Sequence, residues 1–172
     1  IHQELNVLFD LTVEENIFLG SEVTEKGLRK TAYMTERAKK VLDDLGIAVD
    51  PKEVVGNLSV GMSQMVEIAK AMEKEAQILV LDEPTASLSD AETKYLFKMM
   101  RDLQKKGVSM IYISHRMNEI MEIADRISIL RDGKIVHTGE IADITMEEII
   151  AHMMGESTGK KFDWVPRDYD RE

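Results

Sequence analysis

Two short segments restrict the fold of this chain more than any other feature of its sequence. Residues 58–64 read LSVGMSQ, and residues 78–85 read ILVLDEPT. The second segment is an apolar run that ends in the carboxylates Asp82 and Glu83, which is typical of a buried strand in a parallel sheet. Between the two segments, apolar side chains recur with the spacing of one helix face, at Met65, Ile68, Ala69 and Met72. The order of loop, helix and buried strand predicts an α/β fold.

The composition excludes several classes of protein. Asp and Glu together number 32 against 22 Lys and Arg, and the formal net charge of −10 argues against a nucleic-acid partner. The chain has no cysteine, which excludes a disulfide scaffold and a thiolate metal site. No apolar run approaches the roughly 18–20 residues of a membrane-spanning helix. With 172 residues, 44% of them hydrophobic, the chain can bury one sizeable core.

The first half of the sequence is predicted to be mainly helical. Thr12 and Glu15 have the spacing of a capping box, and Gly20 can end the short helix that follows. A second helix is predicted with Thr35 as its cap and with Gly46 at its end. A third helix should run from the LSVGMSQ segment to about residue 74.

The second half changes to strands that alternate with helices. Apolar runs at 78–81 and 108–113 flank a helical segment, which predicts a strand-helix-strand unit with parallel strands. After a further helix, the pair Asp132-Gly133 favours a type I′ hairpin between two strands. A last helix is predicted to begin at the capping box of Thr145.

These patterns divide the chain into three regions. Residues 1–75 are expected to form a helical region, and residues 76–155 a region built around the parallel sheet. The last helix should stop at Gly155. Residues 156–172 are charged and lack periodicity, so they are expected to be a linker or a tail.

Asp82 and Glu83 are candidates for phosphoryl-transfer chemistry. They end a strand at the carboxyl edge of a parallel sheet, and successive strand residues point to opposite sides, so the two carboxylates can have different roles. One would hold Mg²⁺ while the other orients or deprotonates the attacking water. The alternative is that the pair marks a strand end before the turn at Pro84.

Ser59 and Gly61 are candidates for contact with a phosphate. Ser59 is placed to cap the third helix, and a glycine in the first turn leaves backbone N–H groups open to an anion at the positive end of the helix dipole. The alternative is that Ser59 is an ordinary N-cap.

The ordered set of motifs resembles an ATP-binding cassette (ABC) transporter ATPase. LSVGMSQ resembles the signature loop, and ILVLDEPT resembles the Walker B strand. The chain is most similar to the N-terminal cassette of the tandem-cassette ATPases of bacterial monosaccharide importers of the ribose and galactose type. The resemblance implies a helical subdomain followed by the C-terminal half of a RecA-like P-loop NTPase core with a parallel sheet, as an incomplete α/β fold.

The resemblance also implies roles for residues of the first half. Gln3 matches the Q-loop glutamine, which in the family contacts Mg²⁺ and water and senses the transmembrane subunits. Ser59 and Gly61 match signature residues that reach the γ-phosphate of ATP held by an opposing cassette. Without its neighbours, Gln3 would be read as an exposed polar residue.

Four residues of the second half match the family in the same way. Asp82 matches the Mg²⁺ aspartate, Glu83 the catalytic base, Asp90 the D-loop and His115 the switch histidine that contacts the γ-phosphate. Two alternatives remain open. Ser89 and Glu92 have the spacing of a capping box, so Asp90 can belong to plain helix initiation, and His115 can be a surface histidine.

The sequence departs from the family pattern at three places. It contains no G-x-x-x-x-G-K-[ST] phosphate loop, because the segment 155–161 has three residues between its glycines and Lys161 where Ser or Thr should stand. Met62 and Val60 replace the commoner signature residues Gln and Gly. Since the opening residues read as mid-domain sequence, we expect a chain truncated before the Q-loop, with an apolar sheet face or edge left uncovered.

The function implied by the resemblance is coupling of Mg-ATP hydrolysis to carbohydrate import on the cytoplasmic face of the cell membrane. The implied partners are transmembrane permease subunits, a second cassette in a head-to-tail ATP sandwich and, indirectly, a sugar-binding protein. We expect the 172 residues alone to be inactive. The alternative is a non-hydrolysing module that docks on the permease. A DNA-repair ATPase is disfavoured, because the sequence has no sustained heptads and a net charge of −10.

Overall fold

The computed structural model describes residues 6–25 and 27–155, which divide into two compact units between His115 and Arg116. The first unit contains the helical half and the parallel strands, and the second contains an antiparallel hairpin with two helices. The division of the sequence at residue 75 stays a prediction. Of the described helices, none is long and apolar enough to cross a membrane.

Three helices build the first half of the first unit. Helix α1 (Val13–Ile17) begins at the predicted capping box of Thr12 and Glu15, and Gly20 follows it with a φ of +75°. A short antiparallel pair, β1 (Thr24–Glu25) and β2 (Leu28–Arg29), leads to helix α2 (Thr31–Asp44), and the sequence analysis did not predict this pair.

The predicted start of helix α2 is wrong. The helix begins at Thr31, and its N-cap residue Lys30 makes no side-chain cap. Thr35 lies inside the helix, where its hydroxyl donates to the carbonyl of Thr31 over 3.0 Å. The start is set by packing, because Met34 in the first turn is already buried.

Helix α3 (Val60–Glu73) has Ser59 as its N-cap and Lys74 as its C-cap, as the sequence predicts. A 3₁₀ turn, Val55–Asn57, precedes it. The core between α1, α2 and α3 consists of buried apolar side chains: Val13, Ile17, Met34, Ala38, Leu42, Met65 and Ile68. The apolar faces of α2 and α3 therefore contact each other across this core.

The parallel pair predicted from the apolar runs is present. Strand β3 (Ile78–Asp82) pairs in parallel with β4 (Ser109–Ile113), and helix α4 (Asp90–Lys105) connects them. One face of the pair is covered, since Leu79 and Leu81 are buried. The opposite face exposes four apolar side chains: Ile78, Val80, Ile111 and Ile113. The expected uncovered sheet face is thus observed.

The second unit is a hairpin that packs on a helix. Helix α5 (Met117–Ile123) precedes the antiparallel strands β5 (Arg126–Arg131) and β6 (Lys134–Glu140). Asp132 and Gly133 both have positive φ, at 51° and 72°, as a type I′ turn requires. A 3₁₀ turn, Ile141–Asp143, leads to helix α6 (Met146–Met154). The core of the unit comprises Ile127, Ile129, Ile144 and Ile149.

Candidate functional site

The register of the parallel pair brings two candidate residues together. Asp82 is the pairing partner of Ile113, and the backbone N–H of Glu83 donates to the carbonyl of Ile113 over 2.9 Å. Both strands therefore end at the same level. The segments that leave them carry Glu83 and His115, which are 32 residues apart in the sequence.

Glu83 and His115 form a hydrogen-bonded contact that we call the strand-end pair. Oε1 of Glu83 lies 2.7 Å from Nδ1 of His115 and also accepts the backbone N–H of His115 over 3.1 Å. A carboxylate beside Nδ1 favours the tautomer with its proton on that nitrogen. The Glu83 side chain is 17% exposed and the His115 side chain 75% exposed, so most of the imidazole ring is accessible to solvent.

The second oxygen of Glu83, Oε2, takes no part in the contact with His115. Among the residues that the structure describes, none donates a hydrogen bond to Oε2, although this atom is buried. Glu83 also has a φ of +47°, in the left-handed region that a non-glycine residue rarely adopts, and it precedes Pro84. Strained backbone of this kind is concentrated at functional sites, where the surrounding structure holds it in place.

Asp82 ends strand β3 and alternates with Leu81, so it belongs to the same face of the pair as Val80. Its side chain is half-buried. In the described part of the chain, no group of three or more His, Cys, Asp or Glu side chains is arranged to hold a metal ion. A single carboxylate fits Mg²⁺, because this ion keeps several waters and is commonly held by one or two carboxylates together with substrate phosphates.

Ser59 and Gly61 belong to a second cluster, which surrounds Glu92. The Ser59 hydroxyl accepts the backbone N–H of Met62 over 3.2 Å and caps α3, and it donates to Oε1 of Glu92 over 2.9 Å. Gly61 is buried, and a Cβ at this position would meet the Glu92 carboxyl group. The missing side chain of Gly61 therefore admits the carboxylate to the first turn of α3.

The other oxygen of Glu92 caps helix α4. Oε2 accepts the backbone N–H of Ser89 over 3.0 Å and the Ser89 hydroxyl over 2.8 Å, in the capping box that the sequence predicts. These Ser89 donors, then the Ser59 hydroxyl and the backbone N–H of Gly61, lower the pKa of Glu92 below its ordinary value. We call Ser59, Glu92 and Ser89 the helix-start group. Asp90 is the first residue of α4, next to this group.

The structure thus gathers the candidate residues at two places. Glu83, His115 and Asp82 lie at the strand ends, and Ser59, Gly61 and Asp90 lie at helix starts. Gln3 lies outside the described residues. Sequence reasoning recognised Glu92 only as part of a local capping box, because its contact with Ser59 crosses 33 residues and has no local pattern.

Comparison with known proteins matches the chain to one family. The sequence profile of the ABC transporter family matches residues 1–86. The ribose import ATP-binding protein of Clostridium perfringens (strain SM101) is 49% identical over 164 residues, which cover 94% of this chain and 33% of that protein. The xylose import ATP-binding protein of Geobacillus kaustophilus is 43% identical over 172 residues, which cover 100% of this chain and 34% of that protein. The chain therefore spans about a third of the length of these relatives.

Solved structures show the same fold. An ATP-binding cassette of an ABC transporter, MJ1267 in its ADP conformation, matches with a TM-score of 0.71 and 26% identity over 87% of this chain and 65% of that one. The dimeric cassette MJ0796 matches with a TM-score of 0.66 and 22% identity over 82% and 61%. The predicted class, a helical subdomain with part of a RecA-like core, is confirmed. By its sequence motifs, its fold and the profile over half of its length, this chain belongs to the ABC transporter family.

Proposed function

We propose that the chain is part of the ATP-binding subunit of an ABC-type monosaccharide importer, which couples Mg-ATP hydrolysis to sugar uptake. The observation that carries this proposal is the strand-end pair, in which Glu83 is anchored to His115 through one oxygen while its other oxygen is buried without a donor among the described residues. Because this oxygen accepts no hydrogen bond from the described part of the chain, its lone pairs remain available for the proton of an attacking water once a water reaches it. The relatives named as ribose and xylose import ATP-binding proteins support the sugar class.

In this proposal Glu83 is the general base and His115 positions it. The contact between Nδ1 and Oε1 fixes the orientation of both side chains, so the proton acceptor does not need to reorganise during the reaction. The exposed ring of His115 keeps its Nε2 open to the γ-phosphate. Because an anchored base removes a proton most effectively in a fixed geometry, the pair suits water attack on a phosphoryl group.

Asp82 would hold Mg²⁺ at the carboxyl end of β3, with Gln3 as the second ligand that the family resemblance implies. The ion would neutralise charge on the phosphates of ATP. The position of Asp82 as the last residue of β3 supports this assignment, because ligands bind at the carboxyl ends of parallel strands.

The proposed partners follow from the signature residues and from family membership. Ser59 and Gly61, at the start of α3, would contact the γ-phosphate of ATP bound to a second cassette, and Asp90 would lie beside this contact. The dimeric state of the related cassette MJ0796 supports a second cassette. Permease subunits would bind the cassette directly and a sugar-binding protein indirectly, at the cytoplasmic face of the membrane. The charge of −10 makes nucleic acid a poor partner.

A second candidate function is a non-hydrolysing module that docks on the permease. Such a module would need neither a phosphate loop nor a general base. The strand-end pair argues against it, because docking does not require a carboxylate that is held in strained backbone beside a histidine.

Nucleotide titration of two proteins separates the candidates. We expect the 172 residues alone to bind Mg-ATP weakly or not at all, because the backbone cradle and lysine of a phosphate loop supply most of the β- and γ-phosphate contacts. The complete ATP-binding protein that carries this sequence should bind and hydrolyse Mg-ATP. Calorimetric binding with phosphate release measures both. A complete protein that binds its permease without hydrolysing ATP would support the docking module instead.

A further inference from the structure

Both residues assigned to the γ-phosphate are engaged with one carboxylate of this chain. The Ser59 hydroxyl donates to Oε1 of Glu92 over 2.9 Å. The same carboxyl group lies against the backbone of Gly61, where a Cβ would meet it. Glu92 is therefore an anion at the helix start where a phosphate oxygen is expected.

The two anions cannot share the Ser59 hydroxyl. A serine hydroxyl has a single proton, and in this structure that proton is directed to Glu92 while the oxygen accepts the N–H of Met62. A phosphate that takes this proton must break the contact with Glu92. Two negative groups at one helix start would also repel each other, so the carboxylate would have to move away.

We propose that the Glu92 carboxylate binds the Ser59 hydroxyl and the helix start at Gly61 until the γ-phosphate of ATP on the opposing cassette displaces it. This inference rests on the proposed function, because it takes Ser59 and Gly61 to be phosphate contacts. Glu92 is a positioning residue in this scheme, since it acts on ATP through Ser59. The carboxylate therefore raises the Mg-ATP concentration that is needed for two cassettes to close.

The second oxygen of Glu92 keeps helix α4 capped during the displacement. Oε2 holds the N–H and the hydroxyl of Ser89, and Asp90 follows directly in the chain. When the carboxyl group leaves Ser59, it can remain on Ser89 because the two serines use different oxygens. The first turn of α4 then keeps its cap, and closure costs the contact with Ser59 alone.

Glu92→Gln tests the inference because it changes the charge and keeps the shape. A glutamine at the third position of a capping box can still accept the N–H of Ser89, so the α4 cap is retained. The matched control is Glu15→Gln, since Glu15 accepts the N–H and the hydroxyl of Thr12 over 2.9 and 3.0 Å in the same capping geometry. Any general effect of losing a capping carboxylate would appear in both variants.

The measurement is the Mg-ATP concentration at half-maximal cassette closure, followed by energy transfer between fluorophores on the two cassettes of the complete protein. A Glu83→Gln background keeps ATP from being consumed. Glu92→Gln should lower this concentration by about twofold to fivefold, as expected for removing one charge at a helix start. The difference should shrink as salt is added. Glu15→Gln should match the parent.

Each result decides between the inference and its basis. If the parent closes with ATP but Glu92→Gln closes at the same or a higher concentration, Glu92 is a cap or a support for Ser59, and the inference is wrong while the proposed function stands. If Glu15→Gln shows the same gain as Glu92→Gln, the effect comes from capping and the inference is also wrong. If the parent does not close at any ATP concentration, the proposed function fails and takes the inference with it.

Discussion

The strand-end pair and the helix-start group place charged side chains by different means. Glu83 and His115 meet because β3 and β4 pair in parallel over five residues each, so the backbone ladder sets where both strands end. Ser59 and Ser89 are joined through the side chain of Glu92, between two helix starts that are exposed. The first arrangement is fixed by backbone hydrogen bonds and the second by a carboxylate that can rotate.

The difference matches the chemistry proposed for each place. A general base must stay within hydrogen-bonding distance of the water it deprotonates, which favours a position set by the sheet. A contact that forms when two cassettes close must release its earlier partner, which favours a side chain with freedom to move. The contrast predicts that changes to the strand-end pair affect the rate of hydrolysis, while changes to the helix-start group affect stability and closure.

Of the changes to the strand-end pair, Glu83→Gln should reduce hydrolysis most. The amide keeps the shape of the carboxyl group but does not accept a proton, so turnover in the complete protein should fall by about 10²–10⁴-fold. ATP binding should be retained. Phosphate release and calorimetric titration measure the two properties. Turnover near the parent rate would show that Glu83 is not the base.

His115→Ala should have a smaller effect on the same reaction. It removes the anchor on Oε1 of Glu83 and a contact proposed for the γ-phosphate, so turnover should fall by about 10²-fold. His137→Ala is a control, because the His137 ring stacks on His152 at a centroid distance of 4.7 Å. Equal rates for the two variants would make His115 a surface histidine.

Ser89→Ala should act on the helix-start group without touching the strand-end pair. It removes the N-cap of α4 and one anchor of Glu92, and the loss of such a cap costs about 1 kcal/mol of stability. Hydrogen exchange at the α4 amides measures this locally. Thr145→Ala, which removes the matching cap of α6, should raise exchange in α6 and leave α4 unchanged. Unchanged exchange in α4 after Ser89→Ala would show that the capping box does not stabilise it.

Lowering the pH should gradually destabilise the first turns of helices α1, α4 and α6. Donors at Thr12, Ser89 and Thr145 hold the pKa values of Glu15, Glu92 and Glu148 below their ordinary value of 4.5. The stabilisation is complete above that value and is lost as the pH falls through the lowered pKa values, because the protonated groups lose their charge-assisted hydrogen bonds.

Urea unfolding of the chain between pH 7 and pH 3 measures how the free energy of unfolding depends on pH. The free energy of unfolding should fall with pH, and Glu148→Gln should flatten the decrease because one titrating group is removed. If the free energy of unfolding falls equally steeply with pH in this variant, the Glu148 cap does not contribute to the pH dependence of stability.

Local signals in the sequence predicted much of the fold. The helix starts at Thr12, Ser59, Ser89 and Thr145 follow from patterns of four residues, and all four are present. The apolar runs predicted β3 and β4, and Asp132-Gly133 predicted the turn of the β5–β6 hairpin. The start of α2 was predicted wrongly at Thr35, because packing of the first turn overrode a local capping signal.

The sequence by itself determined which residues end strands and which begin helices, because both depend on neighbours within one or two turns of chain. It also named the carboxylates and the histidine that are candidates for chemistry. The tertiary structure alone decided that Oε1 of Glu83 contacts His115 across 32 residues, and that Glu92 reaches Ser59 across 33. These contacts depend on strand register and on how helix ends approach each other, which are set by the packing of the whole unit and leave no local pattern.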